Sequence, residues 1–243
     1  MCPTMAKTDK EIPKTIQEMF DAGLHFGLVK SRRDPTTKSY IFGQKGNMEI
    51  FDLEKTSAML EKALAHVSKL GTEKRTILFV SSKNESKPLI RAAAERLGMP
   101  FIAGRWIGGL LTNFPEIKKR SSRLVDLESK KEKGELTKYT KKERLLLDRE
   151  MANLNELFGG IRTLTKIPDV IFIIDPRKEA IAVAEAKVMK VPVIALASSD
   201  CNLKEVTFPI PGNDASRSSI EYVLKRVTDT YQSAPAAAPA PTV

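Results

Sequence analysis

Cysteine and histidine, on which many protein sites depend, are scarce in this chain of 243 residues. The two cysteines, Cys2 and Cys201, form neither a disulfide framework nor the spacing of a zinc site. The two histidines, His25 and His66, have no neighbours that suggest a shared metal ion or a catalytic pair. The sequence therefore predicts no metal site and no catalytic residue, and it favours a reducing cytoplasm as the compartment.

Long apolar runs and nucleotide-binding fingerprints are also missing. No apolar run approaches the roughly 18 residues of a membrane span, and the first residues lack the apolar core of a signal peptide. No Gly-x-Gly-x-x-Gly follows a predicted strand, and no phosphate-binding loop ends in Gly-Lys-Ser or Gly-Lys-Thr. We therefore predict no membrane span, no cofactor and no small-molecule substrate.

Positive charge is what the chain has in excess. It carries 40 lysines and arginines against 30 acidic residues, for a formal net charge of +10 at pH 7. This balance favours a polyanionic partner, and composition alone does not choose between a nucleic acid and an anionic membrane surface.

The order of apolar segments predicts the fold. The continuous apolar runs at 75–80 and 169–175 are typical of parallel strands that are buried on both faces. Helical patterns at 84–97 and 179–190 follow them. Strands that alternate with helices in this way predict an α/β fold with a doubly wound, mostly parallel sheet of the flavodoxin-like or Rossmann-like kind.

Between residues 115 and 158 the composition changes to charged helices with narrow apolar stripes. In the second of them, Leu147, Met151, Leu154 and Phe158 follow one another at helical spacing. Two such stripes, separated by Gly134, predict an inserted antiparallel helical hairpin that resembles a coiled coil. The predicted organisation is a mobile arm at 1–14, one α/β body formed by 15–114 and 159–232, the hairpin at 115–158, and a disordered Ala/Pro-rich tail at 233–243.

A Gly-rich segment around the only tryptophan, Trp106, lies between a predicted strand and the hairpin. An α/β protein usually places its binding surface in such a connection. The same composition also fits a tight connector that is anchored by a buried tryptophan. The segment reads Arg105-Trp106-x-Gly108-Gly109-x-Leu111-Thr112-Asn113-Phe114.

This segment resembles the signature of a family of bacterial-type ribosomal proteins, small ribosomal subunit protein two (the S-two family). Further segments that resemble the family occur in the family's order, and the resemblance covers about residues 16–231. They are Ala22-Gly23-Leu24-His25-Phe26-Gly27, Tyr40-Ile41-Phe42-Gly43, Arg177-Lys178-Glu179, Ala182-Val183-x-Glu185-Ala186 and Pro211-Gly212-Asn213-Asp214.

The resemblance implies a structural protein of the small ribosomal subunit in the cytoplasm. It implies binding to the subunit's RNA at the junction of head and body, contact with neighbouring small-subunit proteins, and a role in subunit assembly and translation. The chain departs from the family pattern in the first loop. Leu28 stands where the family commonly has a second histidine, and Arg33-Asp34-Pro35 stands where the family usually has Trp-Asn-Pro.

Three basic surfaces are candidates for RNA contact, because lysine and arginine bind phosphates and exposed aromatic or arginine planes stack on bases. They are a first loop at 23–39, predicted to be irregular, the Gly-rich segment, and the basic side of the hairpin. By charge alone, the loop could equally be solvated, and the hairpin charges could pair with one another. The predicted RNA-binding residues are Lys30, Arg32, Arg33, Lys38, Arg105, Trp106, Lys118, Lys119 and Arg123.

Two alternatives from other classes stay open at this point. The first is a sugar-phosphate or nucleotide enzyme on the same scaffold, with its ligand at the strand ends near Ser81, Asp175 and Gly212. For Asp175 itself, helix capping or an ion pair with the neighbouring cations of Arg177-Lys178 is the favoured interpretation. The second alternative is an adaptor that binds only proteins and uses the hairpin for docking.

Overall fold

The structure of the chain, a computed structural model, describes residues 13–235. The predicted mobile arm and the predicted tail lie almost entirely outside this range. The first described elements are helix α1 at Lys14–Asp21 and a small antiparallel sheet with the strand order β1-β3-β2. Its strands are β1 at Phe26–Val29, β2 at Ile41–Lys45 and β3 at Met48–Phe51.

The irregular loop predicted at 23–39 is only partly irregular. β1 lies inside it, and this strand pairs with β3 through Phe26 opposite Ile50 and Val29 opposite Met48. Two 3-10 helices follow, at Lys30–Arg32 and Pro35–Tyr40. The prediction of an irregular loop is therefore wrong for these residues, because a strand from a later segment supplies hydrogen-bond partners that the loop's own sequence does not reveal.

The body of the molecule is a five-stranded parallel sheet with the strand order β5-β4-β6-β7-β8. This is the flavodoxin-like order, with a topological switch point between β4 and β6. Every residue of β4, β6 and β7 is buried, which explains their continuous apolar sequences. The strands are β4 at Ile77–Ser81, β5 at Phe101–Ala103, β6 at Val170–Ile174, β7 at Val193–Ala197 and β8 at Phe208–Pro211.

Helices cover both faces of this sheet and give two apolar layers. On one face α1, α2, α3 and α7 pack against Phe79 and Phe172, and on the other face α6 packs against Ile171 and Ile173 together with the base of the hairpin. This arrangement confirms the predicted α/β fold. The flanking helices of the body are α2 at Leu53–Thr72, α3 at Lys87–Leu97, α6 at Ala180–Val188 and α7 at Arg217–Ser233.

The hairpin consists of α4 at Phe114–Glu132 and α5 at Lys141–Phe158. Thr140 begins α5 with a capping box, in which its hydroxyl and the Glu143 carboxylate each accept the other's backbone N–H. Ion pairs between the two helices join Arg123 to Glu150 at 3.3 Å and Lys131 to Asp148 at 2.8 Å, which requires antiparallel packing. None of the helices in the described range is long and apolar enough to cross a membrane.

Candidate nucleic-acid interface

One buried carboxylate, that of Glu185 on α6, holds the Gly-rich segment in place. Its Oε1 accepts hydrogen bonds from Trp106 Nε1 at 3.1 Å and from the Gly109 backbone N–H at 2.8 Å. Its Oε2 accepts from the backbone N–H groups of Leu111 at 3.1 Å and Thr112 at 3.3 Å, and from the Thr112 hydroxyl at 3.3 Å. Burial alone would raise the pKa of Glu185, but these donors outweigh it and lower the pKa below its ordinary value.

This geometry changes the role of Trp106. Its side chain is only 6% exposed, so the ring offers no open face on which a base could stack. We therefore revise the expected RNA contact at Trp106 to a positioning role, in agreement with the alternative of a buried anchor. The only signal for Glu185 in the sequence is weak: it lies in the segment at 182–186 that resembles the family, and nothing there indicates that it faces Trp106.

The neighbouring Arg105 is placed differently. Its side chain is exposed, and it forms no ion pair with another residue in the range 13–235. The hydrogen bonds to Glu185 fix the backbone directly after it. Arg105 thus projects from a rigid turn with its full charge available, as a phosphate contact needs.

The first loop is anchored to the body through Ser199, which follows β7. The Ser199 carbonyl oxygen accepts hydrogen bonds from the Asp34 backbone N–H at 2.8 Å and the Thr37 hydroxyl at 3.0 Å, and its hydroxyl accepts from the Leu28 N–H at 3.0 Å. Lys30, Arg32 and Lys38 are exposed on the two 3-10 helices of this loop. None of the three forms an ion pair within the described residues, so the fold brings together three uncommitted cations on an anchored loop.

Arg33, the fourth predicted cation of this loop, has a structural partner. Its Nη1 lies 3.0 Å from Oε1 of Glu49, whose side chain on β3 is 2% exposed. Because an isolated buried carboxylate is costly, the guanidinium of Arg33 is needed to compensate it. The structure thus separates Arg33 from Lys30, Arg32 and Lys38, although the sequence presents all four alike.

This difference predicts unequal effects of charge reversal at adjacent residues. Arg33→Glu places a second carboxylate beside Glu49 and lowers the free energy of unfolding by about 2 kcal/mol. Arg32→Glu, on an exposed side chain without a partner, changes it by less than about 0.5 kcal/mol. Urea unfolding followed by circular dichroism measures both. Equal stability of the two variants would contradict the assignment of Arg33.

The predicted hairpin cations are exposed but engaged. Lys118 Nζ donates a hydrogen bond to the Thr165 carbonyl oxygen at 3.4 Å. Lys119 forms an ion pair with Glu116 at 2.6 Å. Arg123 forms the ion pair with Glu150 that was described above. Exposed pairs of this kind contribute about 0–1 kcal/mol, so a phosphate can displace the carboxylate at little cost. Other exposed cations of the hairpin form no ion pair among residues 13–235, and they include Arg120, Lys130, Lys141, Lys142 and Arg149.

The carboxyl ends of β4 and β6, where an enzyme of this fold would bind its ligand, hold an ion cluster instead. The Lys83 ammonium lies 2.8 Å from a carboxylate oxygen of Asp175 and 2.8 Å from one of Asp214. Asp175 also accepts a hydrogen bond from the Lys178 backbone N–H at 3.1 Å. Asp175 therefore forms an ion pair, but with Lys83 and not with the neighbouring Arg177, which pairs with Asp200 at 2.7 Å.

Asp175, Cys201 and Asp214 each place one potential metal-ligating atom within 4.8 Å of the others. The Lys83 ammonium already supplies the positive charge between the two carboxylates. Burial, together with the negative charge of Asp175 and Asp200, raises the pKa of the Cys201 thiol well above its usual range, which disfavours the thiolate that a nucleophile needs. The cluster therefore joins segments of the body and shows no catalytic arrangement.

Comparison with known proteins gives a consistent result. The sequence model of the family described as Ribosomal protein S2 matches residues 19–234. The chain is 42% identical over 215 residues to the small ribosomal subunit protein uS2 of Dehalococcoides mccartyi, with 88% of each chain covered. It is 41% identical over 215 residues to the uS2 of Thermus thermophilus, which covers 88% of this chain and 84% of the relative. The uS2 of Chlorobium luteolum is 40% identical over 219 residues, or 90% of this chain and 87% of the relative.

Proposed function

Since the chain belongs to the ribosomal protein S2 family, we propose that it works in the small ribosomal subunit as a structural protein that binds the subunit's RNA. The family is one of ribosomal structural proteins and not of enzymes, and the match confirms the resemblance found in the motifs. The proposed contacts are with phosphates and with the shape of the RNA near the junction of head and body. Through them the chain supports subunit assembly and translation.

The observation that carries this proposal is the uncommitted positive charge of the first loop. Lys30, Arg32 and Lys38 are exposed, unpaired within the described residues, and held on a loop that is hydrogen-bonded to the body. Cations that contact phosphates provide affinity and register without reading the base sequence. An anchored loop lowers the conformational entropy that binding would otherwise cost.

We also propose that neighbouring small-subunit proteins contact the three-stranded sheet. Large apolar side chains are exposed there, with Phe42 80% exposed and with Phe26 and Met48 also open to solvent. A cluster of exposed apolar side chains on a folded protein is typical of a protein contact.

Sedimentation with small subunits tests the RNA-binding proposal. A triple variant, Lys30→Glu, Arg32→Glu and Lys38→Glu, is expected to associate at least about tenfold more weakly than the unmodified chain, because each phosphate contact becomes repulsive. Association of the unmodified chain should fall steeply as salt is raised. Gradient fractions analysed by mass spectrometry give both results.

The matched control carries the same change of charge at Lys62, Lys69 and Lys225, which are exposed on α2 and α7 and unpaired within the described part of the chain. It should sediment with small subunits like the unmodified chain. If both triple variants lose association equally, net charge and not the first loop governs binding. If neither loses it, the first loop is not the contact surface.

A further inference from the structure

A cavity of about 660 Å³ opens between α3, strand β5 and the end of α5. β5 is an edge strand of the parallel sheet, and the 3-10 turn at Gly159–Ile161 packs against it. Glycine at 160 allows this approach, because a Cβ there would collide with the Phe101 carbonyl oxygen. We call this cavity the edge cleft, and its charged lining residues are Lys87, Arg91, Glu95, Arg105, Glu156 and Arg162.

The basic side chains of the edge cleft differ in whether they form an ion pair. Arg162 is committed, since its Nη2 lies 2.7 Å from Glu128 Oε1 and 2.6 Å from Asn155 Oδ1. Lys87, Arg91 and Arg105 form no ion pair with any residue in the range 13–235. Three cations from two separate elements therefore face one cavity without an ion-pair partner among the described residues, against the two carboxylates of Glu95 and Glu156. The remaining excess of positive charge favours an anionic ligand.

In the cleft, the guanidinium of Arg91 lies over the aromatic ring of Phe101. The Arg91 guanidinium lies 5.7 Å from the centroid of the Phe101 ring, which is cation–π distance. Bases of unpaired RNA stack on such aromatic and guanidinium planes. A volume of this size is in the range of pockets that enclose one small ligand, and it is far too small for a duplex.

We propose that the edge cleft binds an unpaired segment of ribosomal RNA, with its phosphates at Lys87 and Arg105 and one nucleotide over Arg91 and Phe101. The two carboxylates of the cleft accept hydrogen bonds from base amino groups and ribose 2′-hydroxyls, which distinguishes a nucleotide from a simple anion. This inference rests on the proposed function and adds to it a contact surface that extends from Arg105 to α3, a helix whose sequence did not indicate such a role.

Binding of purified small-subunit RNA to the full chain, measured against salt, tests the proposal. The double variant Lys87→Gln and Arg91→Gln removes one proposed phosphate contact, at Lys87, and the guanidinium plane of Arg91, so the slope of log affinity against log salt should fall by about 0.7 for a single-stranded contact. Affinity at moderate salt should fall by about tenfold. The matched control, Lys62→Gln with Lys69→Gln, should leave slope and affinity unchanged.

Chemical probing of the RNA locates the effect. The unmodified chain should protect one short unpaired stretch that the Lys87→Gln/Arg91→Gln variant leaves reactive, while protections that depend on the first loop persist in both. In small subunits that contain the chain with a photo-reactive residue in place of Glu95, that residue should cross-link to nucleotides of the same stretch.

The outcomes separate this inference from the proposed function. If the unmodified chain neither binds nor protects small-subunit RNA, the proposed function fails and the inference fails with it. If the unmodified chain binds and the double variant has the same slope and protections, the inference is wrong and the proposed function stands. Cross-links from position 95 to ribosomal proteins alone would also overturn the inference, since the cleft would then hold a protein.

Discussion

Glu185→Gln is expected to lower the free energy of unfolding by about 4 kcal/mol, because one acceptor oxygen becomes an amide that donates. The carboxylate of Glu185 accepts from Trp106 and Gly109 on one oxygen, and from Leu111 and Thr112 on the other. The amide oxygen of glutamine can accept from the donors on one side only. Its own N–H groups then face the donors on the other side, which lose their acceptor. The donors left without an acceptor are buried or half-buried, and each costs about 1–3 kcal/mol.

Trp106 provides the measurement, since it is the only tryptophan in the chain. Urea unfolding followed by its fluorescence should give a lower midpoint for the Glu185→Gln variant, and the native emission should shift to longer wavelength. Glu61→Gln, at an exposed position of α2, is the matched control and should leave both unchanged. If neither the native emission nor the midpoint changed in the Glu185→Gln variant, the Glu185 carboxylate would not be what holds the Gly-rich segment in place.

The pH dependence of stability has a defined sign at Glu185. Its pKa in the folded chain lies below the ordinary value of 4.5, because the hydrogen bonds outweigh the effect of burial. A group with a lowered pKa stabilises the fold above its unfolded pKa, and this contribution is lost as the pH falls through the folded value. The unmodified chain should therefore lose stability below about pH 4.5, and the Glu185→Gln variant should lose less over the same interval.

The parts of the fold that the sequence predicts well are those with a local pattern. β4 and β6 are continuous apolar runs because each is covered on both faces, and α5 shows its stripe at 147, 151, 154 and 158 because it packs along one line. β1 was not predicted, because Phe26-Gly27-Leu28-Val29 becomes a strand only through its pairing with β3.

The residue types of the candidate site could be predicted from the sequence, but the ion pairs and hydrogen bonds that those residues form could not. The exposure of Lys30, Arg32 and Lys38 follows from their charge, and the structure agrees. The commitment of Arg33 to Glu49 depends on which face of β3 is buried, which requires the register of the sheet. Trp106 and Glu185 lie 79 residues apart, so their contact exists only once β5, β6 and α6 have assembled.

Lys83→Met is expected to lower the free energy of unfolding by about 3–5 kcal/mol at pH 8, because it leaves two carboxylates without their shared cation. The Lys83 ammonium lies 2.8 Å from both Asp175 and Asp214, and the Asp214 side chain is 3% exposed. The two ion pairs of Lys83 join the end of β4 to the end of β6 and to the segment before α7. Their loss therefore affects the switch point of the sheet, which lies between β4 and β6. Methionine fills a similar volume, which leaves the missing charge as the main change.

The loss should be smaller at pH 5 than at pH 8. Burial raises the pKa of Asp214 to about 6, while the charge of Lys83 holds it down, so the pKa rises further when Lys83 is removed. A group whose pKa is raised in the folded state stabilises the fold at low pH, and it loses that contribution as the pH rises through the folded value. At pH 5 the carboxyl of Asp214 in the variant is protonated and neutral, whereas at pH 8 the fold must hold it as an unpaired charge or keep it protonated at a cost.

Asp214→Asn in the Lys83→Met background separates charge from packing. The double variant removes one of the two unpaired carboxylates, so it should regain part of the stability at pH 8 and depend less on pH between 5 and 8. Thermal or urea unfolding at the two pH values measures each variant against the unmodified chain. If Lys83→Met were equally destabilised at pH 5 and pH 8, the loss would come from packing around the methionine, and the ion cluster would not be what Lys83 stabilises.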